Sequence, residues 1–107
     1  MITRLWRGRT RPERADEYGA FLKRTAYPDY GDVEGNLGWI LLRRPGADAV
    51  EFLLVSFWAS PEALRRYTGD DPEQPHYYPE DRAALLEPLA RAENFEVLDA
   101  SLKALTA

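Results

Sequence analysis

Two strand-length segments that are apolar at nearly every position constrain this chain more than any other feature. They cover residues 39–42 and 52–58, and a turn sequence, Pro-Gly-Ala-Asp at 45–48, lies between them. This arrangement predicts a β-hairpin. Successive side chains of a strand point to opposite faces of the sheet, so a strand that is apolar throughout is buried on both faces. The hairpin is therefore expected in a sheet that is covered on both sides.

The rest of the chain alternates between strand and helix patterns. Ala15, Tyr18, Leu22 and Ala26 recur at helical spacing after a first segment with strand character. Similar patterns place a second helix after the hairpin and a strand near the end of the chain. The predicted elements are a strand at 2–10, a helix at 11–27, strands at 38–44 and 50–58, helices at 60–69 and 79–87, and a strand at 93–98.

Caps and prolines predict where the helices begin and end. Thr10 and Glu13 have the spacing of a capping box at the start of the first helix. Pro28 is expected to end that helix, because the residue before a proline avoids the α region. Ser60 is the expected N-cap of the second helix, and Gly69 is its expected stop.

The order strand, helix, strand, strand, helix, strand predicts an α+β protein with a ferredoxin-like βαββαβ fold and a four-stranded antiparallel sheet. Two helices cover one face of such a sheet, and the apolar hairpin requires cover on the other. The simplest cover is a second copy of the chain, which predicts a homodimer in which sheet packs on sheet. The alternative is a monomer in which residues 70–90 and 99–107 fold over the second face.

Composition narrows the classes of protein that remain. A length of 107 residues suits a single domain, expected at 1–99 with a C-terminal tail at 100–107. The net charge of −4 argues against a nucleic-acid partner, and the absence of cysteine excludes disulfides and thiol nucleophiles. No apolar run is long enough to span a membrane and the N-terminus lacks a signal-peptide core, so a cytoplasmic protein is expected.

Three segments carry a resemblance to a known family: Trp-Arg-Gly-Arg-Thr at 6–10, Tyr-Tyr-Pro-Glu-Asp at 77–81 and Leu-Leu-Glu at 85–87. With the order of elements, they resemble the antibiotic biosynthesis monooxygenase-like family of the dimeric α+β barrel superfamily, over about residues 1–99. The resemblance implies a homodimer whose sheets form a barrel, with a pocket between sheet and helices in each subunit. Some relatives oxidise polycyclic phenols with O₂ and no metal or flavin, others degrade heme, and others are isomerases, cyclases or decarboxylases.

The chain departs from this family at two places. Close members carry a His-Tyr pair at the start of the last strand, where this sequence has Asn94 and Phe95. Heme-degrading relatives use an Asn on the first strand, a Trp near the end of the third and a His on the following helix. Trp58 matches the Trp, but the first strand has no Asn and the second helix no His. Heme degradation is therefore disfavoured.

Two residues are the candidates for catalysis. His76, the only histidine, is the side chain whose ordinary pKa suits a general base for a phenol or enol; the alternative is a loop histidine without a role. Arg4 lies between apolar neighbours on a strand and must find an oxygen partner. That partner is either a phenolate of the substrate or, as the alternative, an acid such as Glu96 or Glu51 in a salt bridge.

Four aromatic residues are the candidates for binding a ring system. Trp58 ends the third predicted strand, Phe21 and Tyr67 lie on the apolar sides of the two helices, and Tyr77 follows His76. Aromatic side chains at such positions serve equally well as core, and this alternative stays open for each of them.

The sequence supports two hypotheses of function. The first is a cofactor-independent monooxygenase-like enzyme, or a related cyclase or isomerase, that acts on a small hydrophobic aromatic or polyketide-like compound. The second is a non-catalytic dimeric protein that binds a small ligand or has a structural role. Neither a metal-ligand spacing nor a glycine-rich phosphate loop is present in the sequence, so no cofactor is expected.

Overall fold

The computed structural model describes residues 1–75, 77–87 and 91–103, and of Tyr27 only the backbone. Within these ranges, strands and helices follow one another in the predicted order. The elements are β1 (Ile2–Thr10), α1 (Ala15–Ala26), β2 (Asn36–Pro45), β3 (Val50–Trp58), α2 (Pro61–Thr68), α3 (Pro79–Ala84) and β4 (Glu93–Glu96). A 3₁₀ turn, Pro12–Arg14, precedes α1, and a π-helical turn, Tyr27–Gly31, follows it.

The strands form one sheet in the order β2-β3-β1-β4, and each neighbouring pair is antiparallel. The first and third strands occupy the centre, which is the arrangement of a ferredoxin-like α+β fold. The predicted fold class is therefore confirmed. The β1–β3 register pairs Ile2 with Trp58 and Thr10 with Val50, so β3 lies along the full length of β1.

The helices cover one face of the sheet. On this face β1 and β3 place Trp6, Phe52 and Leu54, which are buried with side chains of α1 and α2. Helix α2 begins as predicted, since the Ser60 hydroxyl accepts a hydrogen bond from the Ala63 amide at 3.1 Å. This packing forms the hydrophobic core and surrounds the polar cluster described below. Among the residues that the structure describes, none of the helices has the length and apolar character needed to cross a membrane.

The second face of the sheet is apolar as well. Val55 pairs with Leu5 on one side and Ile40 on the other, and all three are partly exposed. Phe95 of β4, on the same face, is 51% exposed. The described part of residues 70–90 leaves the centre of this face open: Pro72 and Gln74 bond to Asn94 and Arg4 on the helix side, and Glu87 reaches the open face only at Arg9, near the end of β1. The hairpin is thus apolar on both sides: one side packs against the helices, and the other belongs to an open apolar face of the sheet.

The predicted capping box at the start of the first helix is wrong. Thr10 is still paired with Val50 in the sheet, and it also forms a bridge with Leu85. Its hydroxyl is buried without a hydrogen-bond partner among the described residues. Arg11, not Thr10, occupies the N-cap position, and no side chain caps the turn. Strand pairing therefore outweighs the local capping signal.

The first α-helix ends at Ala26, within one residue of the predicted end before Pro28, but the turn beyond it was not predicted. The chain continues past Ala26 as a π-helical turn before it leaves the helix axis. Proline lacks the N–H that a regular α-turn requires, and a wider turn accommodates this loss. The turn directs Tyr30 into the core, where its ring meets those of Trp58 and Tyr67 at centroid distances of 5.8 and 4.7 Å. The burial of this ring stabilises the turn.

Three other helix or strand boundaries lie at residues different from the predicted ones. Helix α3 ends at Ala84 instead of residue 87, because Leu85 is extended and the Leu86 amide donates to the Arg9 carbonyl at 2.8 Å. Strand β4 ends at Glu96 instead of residue 98, and β2 begins at Asn36 with an irregularity in its register. The predicted tail at 100–107 lies partly outside the described residues.

Substitution of Gly35 by alanine is expected to destabilise the fold by about 3 kcal/mol. Gly35 has a φ of +91°, which disfavours any side chain, and a Cβ there would overlap the Cβ of Ala63. Urea unfolding measures the loss of stability. In the double variant Gly35→Ala/Ala63→Gly the overlap is removed, so its destabilisation should be smaller than the sum of the two single effects. A loss below about 1 kcal/mol for Gly35→Ala would contradict this account.

Candidate functional site

Arg4 is a buried cation at the centre of the sheet. It lies on the helix side of β1, opposite Ser56 of β3 and Asn94 of β4, and is 1% exposed. Its Nη2 donates a hydrogen bond to the Gln74 carbonyl at 2.9 Å, and its guanidinium lies 5.5 Å from the centroid of the Tyr67 ring. Its Nε has no partner among the described residues. The guanidinium thus retains a donor for a further oxygen.

The predicted salt bridge of Arg4 is not found in the described part of the chain. Glu51 pairs instead with Arg44 at 2.6 Å, and Glu96 is exposed. A buried guanidinium is costly unless its charge is compensated. Here a carbonyl dipole and an aromatic face compensate it in part, and both leave the cation free to bind an anion.

Tyr30 and Tyr67 form a phenol pair beside Arg4. A hydrogen bond joins the two hydroxyls, and Tyr30 also hydrogen-bonds to Arg4. Burial raises the pKa of both tyrosines, although the positive charge of Arg4 acts in the opposite direction. Both are therefore neutral at physiological pH and act as hydrogen-bonding groups, not as bases.

Two phenol–carboxylate hydrogen bonds lie next to this pair. The Tyr78 hydroxyl donates to Asp29 Oδ1 and the Tyr18 hydroxyl to Asp81 Oδ1, each at 2.6 Å. Asp81 is 4% exposed, and its Oδ2 accepts a hydrogen bond from the Tyr78 amide at 2.7 Å. Burial and the bond to Asp81 raise the pKa of Tyr18. These bonds join α1 and the π-helical turn to the segment that carries α3.

These side chains surround a cavity of about 30 Å³ between the sheet and the helices. Such a volume holds one or two water molecules but no aromatic ligand. The polar groups converge from five separate elements, namely β1, α1, the π-helical turn, α2 and the α3 segment. The polar lining comprises Arg4, Thr25, Asp29, Tyr30, Tyr67, Tyr78 and Asp81.

The structure brings two of the predicted site residues together at this cavity, Arg4 and Tyr67. Trp58 is 0% exposed and does not line the cavity; it stacks behind Tyr67 at 5.7 Å and donates from Nε1 to the Ser56 hydroxyl at 2.9 Å. Phe21 lines a separate cleft. Tyr77 is half-buried beneath the Arg82 guanidinium, 5.7 Å from its ring centroid. His76 lies outside the described residues.

Sequence reasoning missed Asp29 and Tyr30 as site residues because they were assigned to a loop. Only the π-helical turn directs these two side chains inward, whereas the neighbouring Pro28 predicts that the helix ends before them. The sequence does not single out Asp81, because an acid in the first turn of a helix is common, and its burial follows from a tertiary bond to Tyr18. A signal was present in the composition, since residues 27–30 and 77–81 both combine tyrosine, proline and aspartate. A run of tyrosine and aspartate in a proline-rich stretch is compatible with a buried hydrogen-bond network.

The Tyr78–Asp29 hydrogen bond makes the free energy of unfolding depend on pH in the alkaline range. The hydrogen bond to Asp29, then burial, raises the pKa of Tyr78 to about 12. Between the usual tyrosine value near 10 and this value, the unfolded chain loses the proton while the folded chain keeps it. The free energy of unfolding therefore falls as pH rises above about 10. Tyr78→Phe should have a shallower dependence in urea unfolding across this range; an unchanged slope would contradict the assignment.

Comparison with known proteins gives a consistent result for sequence and fold. The sequence profile of the antibiotic biosynthesis monooxygenase family matches residues 1–77. Among solved structures, Rv0793 from Mycobacterium tuberculosis is 21% identical, with 94% of this chain and 98% of that chain covered and a TM-score of 0.66. None of the functionally curated proteins matches this chain.

Two further structural neighbours have a described activity. SnoaB, a cofactor-independent oxygenase from Streptomyces nogalater, is 18% identical, with 92% of this chain and 94% of that chain covered and a TM-score of 0.62. MhuD, a heme-degrader from Mycobacterium tuberculosis, is 18% identical, with 94% and 99% covered and a TM-score of 0.59. At these identities the likeness establishes the shared fold, which hosts more than one chemistry.

Proposed function

Because this chain belongs to the antibiotic biosynthesis monooxygenase family, we propose that it is a cofactor-independent oxygenase that acts on a small hydrophobic aromatic or polyketide-like compound. One observation carries the proposal: the buried Arg4 has an Nε without a partner among the described residues, beside two neutral phenols at one cavity. SnoaB, whose fold is similar, is an oxygenase of this type.

The chemistry begins with removal of a proton from an activated hydroxyl or C–H group of the substrate. The resulting oxyanion lies against Arg4, with Tyr30 and Tyr67 as hydrogen-bond donors. Donors that are already oriented in a water-poor site stabilise such an anion more strongly than water does. His76 and Asp29 are the candidate bases; the Asp29 carboxylate lines the cavity.

The delocalised anion then reacts with O₂. An activated CH₂ group of the substrate becomes a carbonyl: one oxygen atom of O₂ forms the new C=O bond, and the other leaves as water with the two hydrogens. The carbon gives up four electrons and O₂ takes up four, so no further reductant is needed. The protein's contribution is to hold the anion and to exclude water.

The test is oxygen uptake with an anthrone as substrate. We expect one O₂ consumed for each quinone formed, at a rate that neither a metal chelator nor added flavin changes. Heat-denatured protein is the control for spontaneous oxidation. A rate no greater than this control, over a set of anthrones and hydroxynaphthalenes, would contradict an oxygenase.

The second candidate function is a non-catalytic protein that binds a small ligand. The replacement of the His-Tyr pair by Asn94 and Phe95 favours it. Calorimetry distinguishes the two functions, because a binding protein takes up a phenol with measurable heat but consumes no oxygen with it.

We also propose that the open face of the sheet binds a second copy of this chain. Val55 and its neighbours Leu5 and Ile40 form an apolar centre, and ion pairs such as Arg7–Glu93 and Arg44–Glu51 lie towards its edges. An apolar centre with a polar rim is typical of a dimer interface. The partner is therefore expected to cover the sheet by two-fold symmetry.

A further inference from the structure

The cavity beside Arg4 is bounded on one side by the start of α3. Tyr78 and Asp81, at the start of this helix, line it, and its volume of about 30 Å³ excludes any aromatic compound. A ligand that reaches Arg4 therefore requires part of the wall to move. The part of the wall with the weakest contacts is the part expected to move.

A cleft of about 140 Å³ lies on the other side of this wall, between α1 and α3. Tyr18 and Phe21 form its α1 side, and Ala83 and Ala84 are among the residues on its α3 side. Its volume is close to the roughly 150 Å³ of an apolar cavity that binds benzene. Polar residues at its mouth are Arg14, Glu17, Arg24 and Glu80.

Among the described contacts between α1 and the α3 segment, two join a residue of the cleft to a residue of the cavity. One is the Tyr18–Asp81 hydrogen bond of 2.6 Å, which joins a residue of the cleft to one of the cavity. The other is the edge-to-face contact of Phe21 with Tyr78, with ring centroids 5.8 Å apart. If both contacts open, cleft and cavity become one space that reaches Arg4.

Two phenol–carboxylate bonds hold the start of α3, together with the packing of the Tyr78 ring against Phe21. Asp81 is its buried residue, and Tyr78 is tied by its hydroxyl to Asp29. Water can replace such bonds when the helix moves outwards, so opening costs less than exposing a hydrophobic helix face. The end of α3 is fixed more firmly, because Leu85 is buried and pairs with Thr10 of β1.

We propose that α3 is a gate that turns about Leu85 and admits ligand to Arg4 through the α1–α3 cleft. The bonds Tyr18–Asp81 and Tyr78–Asp29 are its two latches. The ligand is an aromatic compound with one or two rings in the cleft and an oxygen that reaches the guanidinium. This inference rests on the proposed function for the role of Arg4 as the oxyanion partner, but access to the cavity is measured without turnover.

The latches are tested with naphthol as a probe, by stopped-flow quenching of tryptophan fluorescence. Tyr18→Phe and Tyr78→Phe keep the rings and remove the hydroxyls. Each should raise the association rate constant about tenfold, because the binding-competent open state becomes more populated. In hydrogen exchange, the α3 amides should become less protected in both variants, while those of β3 stay as in wild type.

The path is tested by filling the cleft. Ala83→Trp should lower the association rate constant at least tenfold, whereas Ala20→Trp, on the exposed side of α1 in a different groove, should leave it unchanged. Binding of naphthol to the latch variants but not to the wild-type protein would also support the gate. Equal rates in wild type and both latch variants, equal effects of the two tryptophans, or no binding to any variant would overturn it.

The outcomes separate the gate from the proposed function. Gated binding of naphthol, with no oxygen consumption in the presence of any substrate, would refute the oxygenase and leave the gate standing. Turnover at a rate that neither latch variant nor Ala83→Trp changes would refute the gate and leave the oxygenase standing.

Discussion

Replacement of Arg4 by methionine is expected to lower kcat/KM for oxygen-dependent turnover by about two to three orders of magnitude, the usual effect of removing one donor to a developing oxyanion. Arg4 is the cation of the cavity lining, and its Nε, which has no partner among the described residues, is the proposed donor to a substrate oxygen. Methionine has a similar length and no charge, so the oxyanion loses its strongest partner.

The loss should lie in catalysis and not in folding. Arg4 forms no salt bridge with an acid in the described residues, so its removal leaves no buried carboxylate without a partner. The Gln74 carbonyl loses one donor, which costs about 1–3 kcal/mol. The midpoint of urea unfolding is therefore measured with the kinetics, and a folded, inactive Arg4→Met is the expected result.

Two variants complete this experiment. Arg4→Lys keeps the charge but loses the planar fork, so it should recover only part of the activity. Arg65→Met removes an exposed arginine of α2 and should behave like wild type. Turnover by Arg4→Met within a factor of about three of wild type would exclude the guanidinium as the oxyanion partner.

The sheet could be predicted from the sequence because its signals are local and strong. The unbroken apolar pattern of residues 52–58 and the turn before it define the hairpin, and β3 begins and ends at the predicted residues, Val50 and Trp58. Arg4 was identifiable for a related reason. A cation on the buried face of a strand conflicts with its neighbours, and such conflicts concentrate at functional sites.

The rest of the site could not be predicted, because it depends on tertiary contacts between segments without clear periodicity. Tyr30 reaches the cavity only because the chain forms a π-helical turn where proline predicts an end to the helix. Asp81 becomes buried only when Tyr18, 63 residues earlier in the chain, donates to it. For Trp58 the sequence leaves ligand contact and core packing open, and only the fold shows that its ring packs behind Tyr67.

Substitution of Val55 by aspartate is expected to convert the protein from a dimer to a monomer. Val55 lies at the centre of the open face, between Leu5 and Ile40. In a two-fold interface the change occurs twice, and both carboxylates lose water near the symmetry axis. A cost of about 2 kcal/mol for each copy raises the dimer dissociation constant roughly a thousandfold.

Sedimentation equilibrium over a range of protein concentrations measures this change. Leu98→Asp is the matched control, because Leu98 is 94% exposed beyond β4 and should leave the dimer intact. Circular dichroism verifies that Val55→Asp is still folded, as expected for a side chain that points away from the core. A wild-type protein that sediments as a monomer at micromolar concentration would refute the dimer, and the apolar face would then require a partner of another kind. A Val55→Asp variant that stays dimeric would refute the sheet-to-sheet arrangement, because a carboxylate at that position is incompatible with two packed sheets.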